Sequence, residues 1–221
     1  MDFTKKQAVL FDLDGTVIDS RPGIFQSLYY AFHKMGLSVP PKEVLNRFFG
    51  PSLATSFHDL CGFDDELTEQ MIEAYREFYR PTGMFECTIY PGIEALMKKL
   101  KAQGKKVILA TKKPEIFAAQ ILDRKGILPL FDYVAGAAMD DKSEHKDGIV
   151  LRAADALGVA KEDCVMIGDM RFDCIGARLA GIDCIGVTYG YGTKEELIEH
   201  GAAALAADAK DLEKLLLSIT E

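Results

Sequence analysis

The chain has 221 residues, 48% of them hydrophobic, with a formal net charge of −8 and a pI near 5.1. That length suits one large domain, or a core with a smaller companion, and the apolar fraction supports a packed interior. The acidic balance and the lack of a basic tract argue against nucleic acid or an acidic membrane surface as partner. An anionic ligand would need a local cluster of cations or a metal.

Met1 to Lys6 carries no apolar leader, and no segment approaches the roughly 18 apolar residues of a membrane span, so a cytoplasmic protein is expected. Cys61, Cys87, Cys164, Cys174 and Cys184 are scattered, form no CxxC pair, and read as reduced packing residues. Ala8 to Phe11 is an apolar, β-favouring run, read as a buried strand. It stops at Asp12 and Asp14, followed by Gly15 and Thr16. Parallel strands of α/β sheets aim their carboxyl ends at the ligand crevice. Two carboxylates emerging there together would repel by roughly 4 kcal/mol at 4 Å and an effective dielectric of 20. A bound Mg²⁺, which suits hard oxygen ligands, would remove that conflict. The rival reading is an Asx-type turn leaving a strand.

Helical spacing then takes over. Asp19 or Ser20 caps a helix with Pro22 in its first turn, and Ile24, Phe25, Leu28, Tyr29 and Phe32 follow until Gly36. After a loop, further helices are expected over 44–49, 53–60 and 67–79. Four helices are too many for a simple crossover. Residues 18–85 therefore read as a helical insertion between core segments 1–17 and 86–221. Past residue 90 come a helix over 93–100, a strand over 107–110 ending in Thr111-Lys112-Lys113-Pro114, and a helix over 115–125. A strand over 131–136, a polar loop over 140–147 and a helix from about Asp147 to Gly158 follow. A strand over 164–167 ends in Gly168-Asp169-Met170-Arg171-Phe172-Asp173; a helix to Gly181, a strand over 184–187 and a helix over 212–217 complete the chain. This alternation predicts an α/β fold with a doubly wound, mostly parallel sheet. Right-handed crossovers place Asp12, Asp14, Thr111, Asp169 and Asp173 at one sheet edge.

Phe11 to Thr16 resembles the first motif, hhhhDxDGT, of the haloacid dehalogenase superfamily of phosphohydrolases. Thr111 stands where the second motif has a Thr or Ser, with Lys112 where Asn is frequent. Gly168-Asp169 with Asp173 matches the fourth motif, GDxxxD. The third motif is a lysine near a helix start. Lys146 and Lys142 compete for it, since Lys-Pro-x-Pro is absent, and the start of the apolar periodicity favours Lys146. Taken singly, each has a plainer reading: a strand-ending Thr, or a turn with a helix cap. The inserted helices fall where the superfamily places an α-helical cap. The nearest likeness is to phosphoglycolate-phosphatase-like members, some of them 5′-nucleotidases.

The resemblance implies a Rossmann-like core and a Mg²⁺-dependent phosphatase of a small phosphorylated metabolite, monomeric or weakly dimeric, with no nucleic-acid or membrane partner. It implies Asp12 as nucleophile, forming an aspartyl-phosphate, and Asp14 as general acid and base. Metal would be held by Asp12, the Asp14 carbonyl and Asp169, with Asp173 a further ligand or a group orienting the others. Thr111, the Lys112 N–H and Lys146 would bind phosphoryl oxygens. The 49–52 turn and nearby Arg47 are candidates for substrate contact, against a plain helix–helix turn. The alternatives are a nucleotidase acting on nucleoside monophosphates, a sugar phosphomutase, and a phospho-accepting signalling module. The last has about half this length in its usual form.

Overall fold

The computed structural model describes residues 2–139 and 145–217. β1 (Ala8–Phe11) is fully buried, as an uninterrupted apolar run flanked by strands on both sides must be. β2 (Ile18–Asp19) leads out of the turn that follows. Next come α1 (Arg21–Lys34), α2 (Lys42–Leu45), α3 (Leu53–Cys61) and α4 (Asp65–Tyr79). After β3 (Thr88–Ile89) the texture alternates: α5 (Ile93–Ala102), β4 (Lys106–Pro114), α6 (Glu115–Arg124), β5 (Tyr133–Ala137), α7 (Lys146–Asp155) and β6 (Cys164–Gly168). The chain closes with α8 (Arg171–Ala180), β7 (Asp183–Val187), α9 (Lys194–Glu199), β8 (Ala204–Ala206) and α10 (Ala209–Leu216).

Two compact units result: Met1–Asp19 with Ile89–Glu221, and Ser20–Thr88. The second is helical. Asp64 and Ser52 cap α4 and α3 through their side chains, each accepting from a backbone N–H three residues on. Its interior is aromatic, with the Phe32, Phe48, Phe57 and Phe63 rings at centroid separations of 5.2 to 6.2 Å.

The first unit holds, among the described residues, a six-stranded sheet in the order β5-β4-β1-β6-β7-β8. All its pairings are parallel. From β1 the chain adds β4 and β5 on one side, then returns to lay β6 on the other. The strand order therefore reverses between β1 and β6, and such a switch point opens a crevice at the carboxyl ends. Alternate residues of the strands, Ala8 and Leu10 among them, pack with Ile149 and Val150 of α7 and Cys174 and Ala177 of α8 in one buried cluster.

Several sequence expectations change. β4 runs to Pro114, past the expected end at Ala110, because pairing with β5 resumes beyond a break in register. β5 begins at Tyr133, not residue 131. α7 begins at Lys146, inside what reads as polar loop; residues 140–144, Lys142 included, lie outside the described residues. Polar α9 and the alanine-flanked β8 carry too little apolar or β-branched signal to be called. All five cysteines are free, and the Cys174 and Cys184 thiols lie 3.0 Å apart. No helix among the described residues is long and apolar enough to cross a membrane.

Candidate active site

Asp12 leaves the end of β1 with its N–H donating to the Ile167 carbonyl of β6 at 2.9 Å, which fixes it beside the switch point. The next residues turn tightly. Val17 and Ile18 donate to the Leu13 carbonyl, and Gly15 donates to Ile18 at 2.8 Å. Gly15 has φ +85, and a Cβ there would sit 2.2 Å from an Asp169 oxygen. Backbone freedom and lack of a side chain are both required.

Asp12, Asp169 and Asp173, all buried, bring one carboxylate oxygen each within 4.8 Å of one another. Lys146 reaches into this group from the first turn of α7: its Nζ lies 2.5 Å from Asp12 Oδ1 and 2.7 Å from Asp173 Oδ1. Asp169 is braced on both oxygens, by the Thr16 hydroxyl at 3.1 Å and the Tyr191 N–H at 2.7 Å. Asp173 also accepts the Met170 N–H at 3.1 Å, which ties it to the start of α8. Two of the three clustered carboxylates, Asp12 and Asp173, thus share one ammonium.

The electrostatic consequence is a set of displaced protonation equilibria. Burial pushes Asp12 up to about 7 against the pull of Lys146, with Asp173 and Asp14 adding to the rise. Burial raises Asp169 well above the ordinary carboxylate range, helped by Asp173 and Asp12. Burial alone would lower Lys146, but Asp12 and Asp173 outweigh it and leave its ammonium form favoured. A hard divalent cation would relieve the surplus negative charge, and an all-carboxylate donor set suits Mg²⁺. The residues present fit such a metal.

Asp14 stands apart from the triad. Asp12 and Asp14 each have a lysine of their own, which offsets the repulsion that Asp14 still exerts on Asp12. Asp14 takes Lys113, whose Nζ lies 2.9 and 2.7 Å from its two oxygens. Thr111 is buried at the strand end beside them, and its Oγ1 accepts the Lys113 N–H at 3.2 Å. The Lys112 side chain is exposed. Arg171, a possible alternative cation, is engaged by Glu196 at 2.6 Å and stacks over Phe172. Arg47 is exposed in the other unit, between buried Leu45 and Phe48.

Lys113, Tyr191 and Gly190 are not singled out by sequence patterns. A Cβ on Gly190 would lie 2.3 Å from Asp169 Cβ and 2.5 Å from the Gly15 carbonyl, so the segment after β7 lies directly against the site. The one local signal is the run Tyr189-Gly190-Tyr191-Gly192 just past a strand end.

A family model described as haloacid dehalogenase-like hydrolase matches residues 9–187. A 5′-nucleotidase from Pseudomonas aeruginosa is 36% identical over 95% of this chain and 95% of its own. A phosphoglycolate phosphatase from Neisseria gonorrhoeae is 34% identical over 84% of this chain and 81% of its own. Tyrosine-protein kinase PtkA from Mycobacterium tuberculosis is 32% identical over 95% of this chain and 71% of its own. Among solved structures, a predicted phosphatase from Clostridium acetobutylicum aligns with a TM-score of 0.87 at 40% identity, covering 95% of this chain and 97% of that one.

Proposed function

The chain belongs to the haloacid dehalogenase-like hydrolases and is a phosphatase of that family, and we propose that it hydrolyses small phosphomonoesters with Mg²⁺ through a phosphoenzyme on Asp12. The observation that carries this reading is the buried cluster of Asp12, Asp169 and Asp173 at the sheet's switch point, with Lys146 bonded to Asp12 and Asp173.

Asp12 attacks phosphorus, and the ester oxygen departs with a proton from Asp14. Water then attacks the aspartyl-phosphate, gives its proton to Asp14, and frees phosphate and the Asp12 carboxylate. Lys146 holds Asp12 oriented and offsets phosphoryl charge. Thr111 and the Lys112 N–H take phosphoryl oxygens. Asp12, the Asp14 carbonyl and Asp169 would hold the metal, with Asp173 orienting Lys146 or adding a ligand. When bound, Mg²⁺ supplies electrostatic stabilisation of charge on the transferring group. The expected helical cap, residues 18–85, would select the leaving group, with Arg47 and the 49–52 turn as candidate contacts.

Nucleoside 5′-monophosphates are the first substrates to test, because the P. aeruginosa relative named a 5′-nucleotidase matches end to end. Phosphoglycolate is second, because the relative bearing that name matches almost as well. Phosphate release is measured across both, with sugar phosphates included, in Mg²⁺ and in EDTA. Asp12→Asn should abolish release and EDTA should stop the wild type; turnover surviving either change rejects the reading. Release with water as sole acceptor separates a phosphatase from a kinase, and lack of a bisphosphate requirement separates it from a mutase.

A further inference from the structure

We propose that Lys113 is a positioning residue that holds the Asp14 carboxylate for hydrolysis of the phosphoenzyme. This rests on the reading above of Asp12 as nucleophile and Asp14 as base. Lys113 is placed by a defect in the sheet. Thr111 of β4 faces Gly136 of β5, yet Pro114 faces the very next residue, Ala137. Lys112 and Lys113 are therefore extra residues on β4, a bulge of the kind that re-aims a side chain beside a functional site. The Thr111 hydroxyl holds the bulge by accepting the Lys113 N–H at 3.2 Å. The lysine side chain is only 7% exposed and spends its charge on both Asp14 oxygens.

Asp14 is fixed from its other side too, through a bridge to Ile18 and the tight turn at Gly15. A carboxylate held by both oxygens has one plane and one reach. Its remaining lone pairs point to a defined place, which is what a base needs to orient an attacking water. In that step the water oxygen bonds to phosphorus, the Asp12–phosphorus bond breaks, and the water proton passes to Asp14. With so little of the Lys113 side chain exposed, its contact with Asp14 is unlike a surface ion pair of small worth.

The test uses rapid mixing and acid quench with ³²P-labelled p-nitrophenyl phosphate at saturating Mg²⁺. Its leaving group departs without a proton, so phosphoenzyme formation needs no acid. Asp14→Asn should accumulate label on Asp12. Lys113→Met should do the same, its phosphoenzyme decaying about 10- to 100-fold more slowly than wild type, the usual cost of a small misplacement. Lys113→Arg should restore most of the decay rate, and Lys113→Met added to Asp14→Asn should slow decay no further. Lys113→Gln is read in place of Lys113→Met if that variant unfolds. Label in Asp14→Asn combined with wild-type decay in the Lys113 variants overturns the positioning role, and so does fewer labelled molecules decaying at the normal rate. Absence of label even in Asp14→Asn overturns the covalent reading itself.

Discussion

Lys146 carries more than two contacts suggest, because among the described residues it is the cation bonded to two of three clustered, buried carboxylates. Reading it as a helix-start residue off the apolar face understates its burial, since its side chain is only 6% exposed. A buried ammonium bonded to two carboxylates contributes through charge-assisted contacts worth roughly 1.5–3 kcal/mol each. Lys146→Ala should therefore cut turnover by one to two orders of magnitude, since about 1.4 kcal/mol is tenfold. It should also lower the melting temperature of the metal-free protein by leaving Asp12 and Asp173 without their shared partner. Steady-state kinetics beside Lys142→Ala decide the point. The Lys142 variant should stay near wild type, and the reverse ranking would move the phosphate's cation there.

At the scale of elements, the strands that build the site were legible because they are short, continuous and apolar: β1, β4 and β6 each end in the polar residues that matter. One topology brings Asp12, Asp169 and Asp173 to one edge, but it is the resemblance of their motifs to the haloacid dehalogenase superfamily that singles them out among strand-ending polar residues. The supports were not legible. Lys113 meets Asp14 only through the β4 bulge, and Tyr191 reaches Asp169 across 22 residues of chain. Nothing in local periodicity announces a register break or a loop's close approach. The segment after β7 is the plainest case. A Cβ on Gly190 would meet Asp169 and backbone at 2.3 to 2.5 Å, and neither a braced carboxylate nor a β1 turn has room to yield. Gly190→Ala should thus displace Asp169 and weaken Mg²⁺ binding by about 10- to 100-fold, the usual cost of losing a group that orients a ligand. Calorimetric titration of the substrate-free protein measures it; unchanged affinity would show that the loop, not Asp169, absorbs the added methyl.

The whole molecule pays for its site in stability, and the sign of that cost can be worked out. Asp12 and Asp169 are raised by burial above the ordinary carboxylate value, Asp12 to about 7. An acid whose folded pKa exceeds its unfolded one keeps more protons in the native state, so raising the pH between those values destabilises the fold. Without metal, the protein should be most stable near pH 5 and lose stability toward neutrality. The full penalty from Asp12 alone is on the order of 4 kcal/mol at 1.36 kcal/mol per pKa unit, of which roughly 2 to 3 kcal/mol accrues between pH 5 and pH 7.5. For a chain of this size that corresponds to a fall in melting temperature of about 5 to 10 °C between pH 5 and pH 7.5. If Mg²⁺ is held as proposed, by the ionised carboxylates of the folded state, its stabilisation should be large at pH 7.5 and small at pH 5. Asp12→Asn removes the proton equilibrium while leaving Asp173 to partner Lys146. Its metal-free melting curve should be flatter with pH and lie above wild type at pH 7.5. Melting scans of both proteins in EDTA and in Mg²⁺ separate this local cost from repulsion spread over the net charge of −8. Diffuse repulsion would give the two proteins the same slope, and the buried cluster would then not be the source.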